Sequence, residues 1–147
     1  EASTQIAAIL AGASPEVEAA CATYGQALGT AFQIIDDVLD YDGDAQEMGK
    51  NLGDDLREGK CTLPLIVAMQ RASAEDAAIV RQAIEQGSTD QLDTILRIVK
   101  NTGALEATRE AAHDEAMRAI AALKALPSNA FTQAMEQLAS QLLVRRT

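Results

Sequence analysis

The chain has 147 residues, 48% of them hydrophobic but only 3% aromatic, and a formal net charge of −10. That suits one domain with a core of Ala, Leu, Ile and Val, which favours packed helices, and it argues against nucleic acid or an anionic membrane surface as partner. No apolar run approaches the roughly 20 residues of a membrane span, no signal peptide is visible, and two cysteines without a framework or metal spacing, Cys21 and Cys61, point to a reducing cytoplasm.

Every segment reads as helix and none as strand, so the expected fold class is all-α. Glu1 to Leu10 already has helical spacing in Ile6, Ile9 and Leu10. No capping residue precedes it, which predicts a chain cut from something longer. The first helix is expected from about Ala2 to Ala11, stopping at Gly12. Ser14-Pro15-Glu16 is a start signal, with an N-cap, a proline at the first helical position and an acid in the first turn. The second helix should run to about Tyr41, with Gly43 as its stop. Its Gly25-x-x-x-Gly29 pair offers a small-residue face suited to close approach of a neighbouring helix.

Gly43 to Lys60 is polar, carries four glycines and reads as loop or short helical turns. A helix resumes at Leu63-Pro64 and runs to about Ala72. Ser73-x-x-Asp76 opens the next one as a capping-box variant, and Gly87 closes it after Gln86. Further helices are expected from Asp90 to Asn101, Ala104 to Leu126 and Asn129 to Val144, with breaks at Gly103 and Pro127. There is no internal repeat and no linker long enough to divide domains.

The chemistry concentrates in Phe32-Gln33-Ile34-Ile35-Asp36-Asp37-Val38-Leu39-Asp40 and the segment after it. Nine of the 22 acidic residues fall between Asp36 and Glu58. Aspartates at i, i+1 and i+4 of a helix share an arc of roughly 100°. Ile34, Ile35, Val38 and Leu39 set them opposite a core face, where carboxylates are costly unless paired. Three readings follow. Asp40-Tyr41-Asp42-Gly43-Asp44 imitates the first positions of a calcium loop, but Ala45 and Asn51 replace its glycine and glutamate. A solvated acidic patch is the second. The third is Mg²⁺ with a diphosphate, which also demands cations nearby; Lys50, Arg57 and Lys60 supply them, and a glycine precedes each lysine. His113, the one histidine, sits among surface-type residues and reads as structural rather than catalytic.

Phe32-Gln33-x-x-Asp36-Asp37-x-x-Asp40, then Gly49-Lys50 and Gly59-Lys60-x-Thr62-Leu63-Pro64, resembles the second aspartate-rich region of trans-polyprenyl diphosphate synthases. Ile9-Leu10-Ala11-Gly12, Gly29-Thr30-Ala31-Phe32 and Ile120-Ala121-Ala122-Leu123 extend the likeness over essentially the whole chain, and it leans towards the bacterial octaprenyl diphosphate synthases. The resemblance implies an all-α isoprenoid-synthase-type helical bundle, of which residues 1–147 would be the C-terminal part of a single domain. It implies a homodimer without transmembrane segments. The reaction would be Mg²⁺-dependent lengthening of an allylic diphosphate, expected to be farnesyl diphosphate, by isopentenyl diphosphate to a product for quinone side chains. By analogy Asp36, Asp37 and Asp40 hold Mg²⁺ against the allylic diphosphate, with Asp36, Asp37 and Lys50 as the catalytic set. Lys50 contacts the diphosphate, Lys60 supports the charge balance, Gln33 shares the aspartate face and Phe32 lines the cavity near the reacting carbon. Members carry two facing aspartate-rich motifs and this chain has only the second, so the chain alone is expected to be inactive. The alternative is a non-catalytic helical subunit or interaction module of a heteromeric synthase. A terpene cyclase of the same fold fits the Gly-Lys loop less well.

Overall fold

A computed structural model describes residues 1–42 and 52–144. Among these residues there are eight α-helices and no strand: α1 (Ala2–Leu10), α2 (Pro15–Leu39), α3 (Asp54–Arg57), α4 (Leu63–Arg71), α5 (Ala74–Gln86), α6 (Leu92–Asn101), α7 (Ala104–Ala122) and α8 (Ala130–Val144). The all-α expectation holds, and no described helix is long and apolar enough to cross a membrane. The residues group into two compact units: Glu1–Gln33 with the described residues from Ala111 onward, and Ile34–Glu110.

The first unit is built on small side chains. Tyr24 and Ala27 of α2, Ala119 of α7, Leu123 just beyond its end and Ala139 of α8 form its buried cluster. Alanine lets helix axes approach closely, and the one large polar group is satisfied, since the Tyr24 hydroxyl donates to the Met135 carbonyl at 2.9 Å. Gly25 takes α1 at contact distance: a Cβ placed there would lie 2.1 Å from Thr4 Oγ1. At Gly29 such a Cβ would meet nothing within 4 Å. The small-residue pair of α2 thus packs a neighbouring helix at one of its two positions. The α7 helix stops four residues short of the expected Leu126. It passes into a 3₁₀ turn, Leu123–Ala125, and Leu126 is extended (φ −96°, ψ 152°), as a residue before proline must be.

The second unit packs α4, α5 and α6 around Leu65, Ala68, Val80, Ile95, Ile98 and Val99. Helix α6 explains itself: Ile95, Ile98 and Val99 fall on one face and are buried, while Asp93, Arg97 and Lys100 are exposed. Burying each such side chain stabilises the fold by roughly 1.5–3 kcal/mol. The Ser73 hydroxyl caps α5 by accepting from the Asp76 N–H at 3.1 Å. At the other end Gly87 adopts φ 57° and sits so tightly that a Cβ would lie 2.8 Å from the Arg57 carbonyl oxygen. The end of α5 is thereby seated against the α3 turn. Among the described residues of the segment expected to be loop or short helical turns, Asp54–Arg57 forms one short helical turn.

Candidate functional site

The end of α2 brings its aspartates into the second unit. Asp36 is half-buried, while Asp37 and Asp40 are 9% and 8% exposed. Ile35 and Val38 provide the buried apolar side of this helix end. The aspartate side is covered as well, and for Asp40 the cover is the α3 turn. The Gly53 N–H donates to the Asp40 carbonyl at 3.0 Å. The Asp54 N–H donates to Asp40 Oδ1 and the Asp55 N–H to Asp40 Oδ2, each at 3.1 Å. Three successive backbone donors therefore end on one residue. Gly53 makes this possible with φ 77°, a left-handed conformation that side chains other than glycine's resist.

The electrostatics follow from that geometry. Burial pushes the Asp40 carboxyl above its ordinary value and the nearby Asp55 and Asp54 carboxylates add to the push, while the N–H groups of Asp55 and Asp54 oppose it. The Asp55 carboxylate accepts from Lys60 Nζ at 2.9 Å. Lys60 also pairs with Glu58 at 2.7 Å. These two partners, Glu58 first, raise the ammonium's pKa, although in so exposed a position the pairing adds little to stability. Arg57 pairs with Asp54 at the turn's surface, and Arg109 of α7 pairs with Asp42 just past the end of α2.

The residues nominated by the sequence are thus distributed unevenly. Asp36, Asp37 and Asp40 share one helix end, and Asp40 reaches Lys60 through Asp55. Lys50, with Gly49, lies outside the described residues. Phe32 and Gln33 belong to the first unit and are exposed. Among the described residues no group of three His, Cys, Asp or Glu side chains is arranged to hold a metal ion. Sequence reasoning missed Asp55, Tyr41, Thr62 and Arg109. Tyr41 and Thr62 are buried, and neither hydroxyl has a hydrogen-bond partner of acceptable geometry among the described residues. Thr62 is near enough to temper the Tyr41 phenol, yet burial still dominates and pushes that phenol far above its ordinary range. Only the Gly59-Lys60-x-Thr62 pattern hinted at Thr62; nothing local signals Arg109.

Known proteins bear on this arrangement. The family described as Polyprenyl synthetase matches residues 1–101. The chain is 49% identical over 140 residues to the octaprenyl diphosphate synthase of Escherichia coli, covering 95% of this chain and 43% of that protein. It is 46% identical over 145 residues to the geranyl-diphosphate-specific all-trans-nonaprenyl-diphosphate synthase of Rhodobacter capsulatus, covering 99% of this chain and 44% of the relative. The chain therefore spans less than half the length of these relatives. Among solved structures, the polyprenyl synthase of Caulobacter crescentus in complex with calcium and isoprenyl diphosphate superposes with a TM-score of 0.82 at 39% identity, over 97% of this chain and 44% of that one. Family match, identity and fold agree, and the chain belongs to the polyprenyl synthetase family.

Proposed function

We propose that these residues serve a Mg²⁺-dependent prenyltransferase. It would lengthen an allylic diphosphate, with farnesyl diphosphate as primer, by adding isopentenyl diphosphate, up to a long-chain, octaprenyl product. In this reading residues 1–147 are the C-terminal part of one synthase domain that works as a homodimer in the cytoplasm. The printed names of the relatives, octaprenyl and nonaprenyl synthases, support a long-chain product. The observation that carries the reading is the junction at Asp40, where an aspartate-bearing helix end is hydrogen-bonded to a turn that closes on Lys60.

The donor set suits the ion. Magnesium is commonly held by one or two carboxylates together with substrate phosphate oxygens, so Asp36 and Asp37 fit it without a third protein ligand beside them. Bound there, Mg²⁺ would neutralise the charge that grows on the diphosphate as it leaves. Lys50 would contact the same diphosphate, and Lys60 would add positive charge from its turn. Phe32 would supply an apolar side chain near the reacting carbon, where water must be kept away, and Gln33 would take part in substrate binding. Neither cysteine nor His113 has a part in these steps.

Elongation of farnesyl diphosphate by radiolabelled isopentenyl diphosphate, with products sized by reversed-phase chromatography, tests this in the full-length protein. Asp36→Asn and Asp37→Asn should each lower kcat by about 100-fold or more, the scale expected when a group stabilising transition-state charge is lost. Wild-type rates in both variants, or elongation indifferent to chelator, would sink the reading. The 147-residue chain by itself is expected to show no elongation.

A further inference from the structure

Asp40 is joined to the α3 turn more completely than a metal ligand needs to be. Each carboxylate oxygen accepts one backbone N–H, from Asp54 and Asp55, and the Asp40 carbonyl accepts a third, from Gly53. A four-residue helix cannot hold itself together, because one turn fixes several backbone dihedrals for very few hydrogen bonds. Its first N–H groups also need acceptors. A buried carboxylate in turn needs donors, and charge-assisted hydrogen bonds of this kind are the strong ones. The two requirements are met by each other.

The far side of the turn is equally determined. The Lys60 N–H donates to the Asp55 carbonyl at 2.9 Å, and Lys60 Nζ reaches the Asp55 carboxylate at the same distance. Asp55 is therefore held by Asp40 through its N–H and holds Lys60 at two points. Gly53 is pressed beneath Leu92, whose Cδ1 would stand 2.8 Å from an added Cβ, and Gly87 backs the Arg57 carbonyl.

From this geometry we infer that Asp40 is a positioning residue: its carboxylate pins the Gly53–Lys60 turn to the end of α2 and so sets where the Lys60 ammonium stands, leaving metal ligation to Asp36 and Asp37. The consequence for the reaction rests on the diphosphate and Mg²⁺ reading of the site. The pinning does not.

Asp40→Asn separates the roles. The asparagine keeps an oxygen for one N–H but turns an amino group toward the other, whereas the loss of a plain metal ligand would leave the turn untouched. Amide hydrogen exchange in the full-length protein is the direct readout. We expect exchange at Asp54 and Asp55 to speed up about tenfold, in line with a lost helix cap. Amides of α5 and α6 should stay protected, which shows that the fold survives. Mn²⁺ affinity, read by electron paramagnetic resonance, should stay within about threefold of wild type in Asp40→Asn and fall much further in Asp36→Asn. Gly53→Ala disturbs the same turn with the Asp40 carboxylate intact. It should speed exchange at the same amides and weaken binding of inorganic diphosphate as Asp40→Asn does. Unchanged exchange at Asp54 and Asp55 in Asp40→Asn overturns the inference, and so does a loss of Mn²⁺ affinity equal to that of Asp36→Asn. If the wild-type protein binds neither Mn²⁺ nor inorganic diphosphate, the functional reading fails, and the exchange rates still decide the pinning.

Discussion

Tyr41 stands one residue beyond Asp40, yet its ring lies in the apolar cluster of the second unit with Leu56 and Leu65. Sequence made it the last residue of a helix; the structure makes it a buried wedge whose hydroxyl has no partner among the described residues. A buried hydroxyl left without a hydrogen bond costs about 1–3 kcal/mol. Tyr41→Phe keeps the ring and removes that liability, so it is expected to hold stability level or raise it by up to about 1 kcal/mol. Urea denaturation midpoints at constant slope read this directly. A loss of about 1 kcal/mol or more would mean that the hydroxyl is bonded after all.

Glycine 87 carries the argument from residue to element. It ends α5 in a left-handed conformation, and the Arg57 carbonyl leaves no room for a Cβ. Gly87→Ala should therefore destabilise the chain by about 1–3 kcal/mol and loosen the α3 turn as well as the end of α5. Hydrogen exchange localises the effect; one confined to α5 would show that the turn does not depend on this seat. The glycines of α2 separate two effects that sequence could not. Replacing glycine by alanine inside a helix normally stabilises by up to about 1 kcal/mol. At Gly29, with open space around it, Gly29→Ala should raise the melting temperature. At Gly25 the added methyl would run into Thr4, so Gly25→Ala should lower it. Equal shifts at the two positions would show that α1 does not rest on Gly25.

These elements also show what could be read from the chain in advance. Helix ends at Gly12, Ser73 and Gly87 were legible because capping is local, settled within four residues by backbone conformation and one side chain. The aspartate cluster was legible because three carboxylates in an apolar helical run need an explanation wherever they occur. Asp40's hold on the Asp54 and Asp55 N–H groups was not, since it closes across 14 and 15 residues. The Arg109–Asp42 pair spans 67 residues and has no periodicity to announce it. The same limit applies to burial. Spacing assigned Asp37 and Asp40 to a face away from the core, but a face is exposed only until another segment covers it.

For the whole molecule, two properties pull in opposite directions. The net charge of −10 makes copies of the chain repel one another. The first unit, however, presents Leu10 and Phe131, each 82% exposed, with Ile6, Ile9 and Leu138 about half exposed. Such side chains drive association when they come together in one contact. Repulsion between exposed charges reaches about 30 Å at 0.01 M salt but only about 3 Å at 1 M, whereas the apolar attraction is not screened. The 147-residue chain is therefore expected to sediment as a monomer at low ionic strength and to associate as salt is raised. Phe131→Ser together with Leu10→Ser should abolish that association and leave the helical circular dichroism unchanged. Sedimentation velocity across a salt series checks both statements. An apparent mass that falls with salt would place the contact on ion pairs instead, and one that ignores the double substitution would move it to another face.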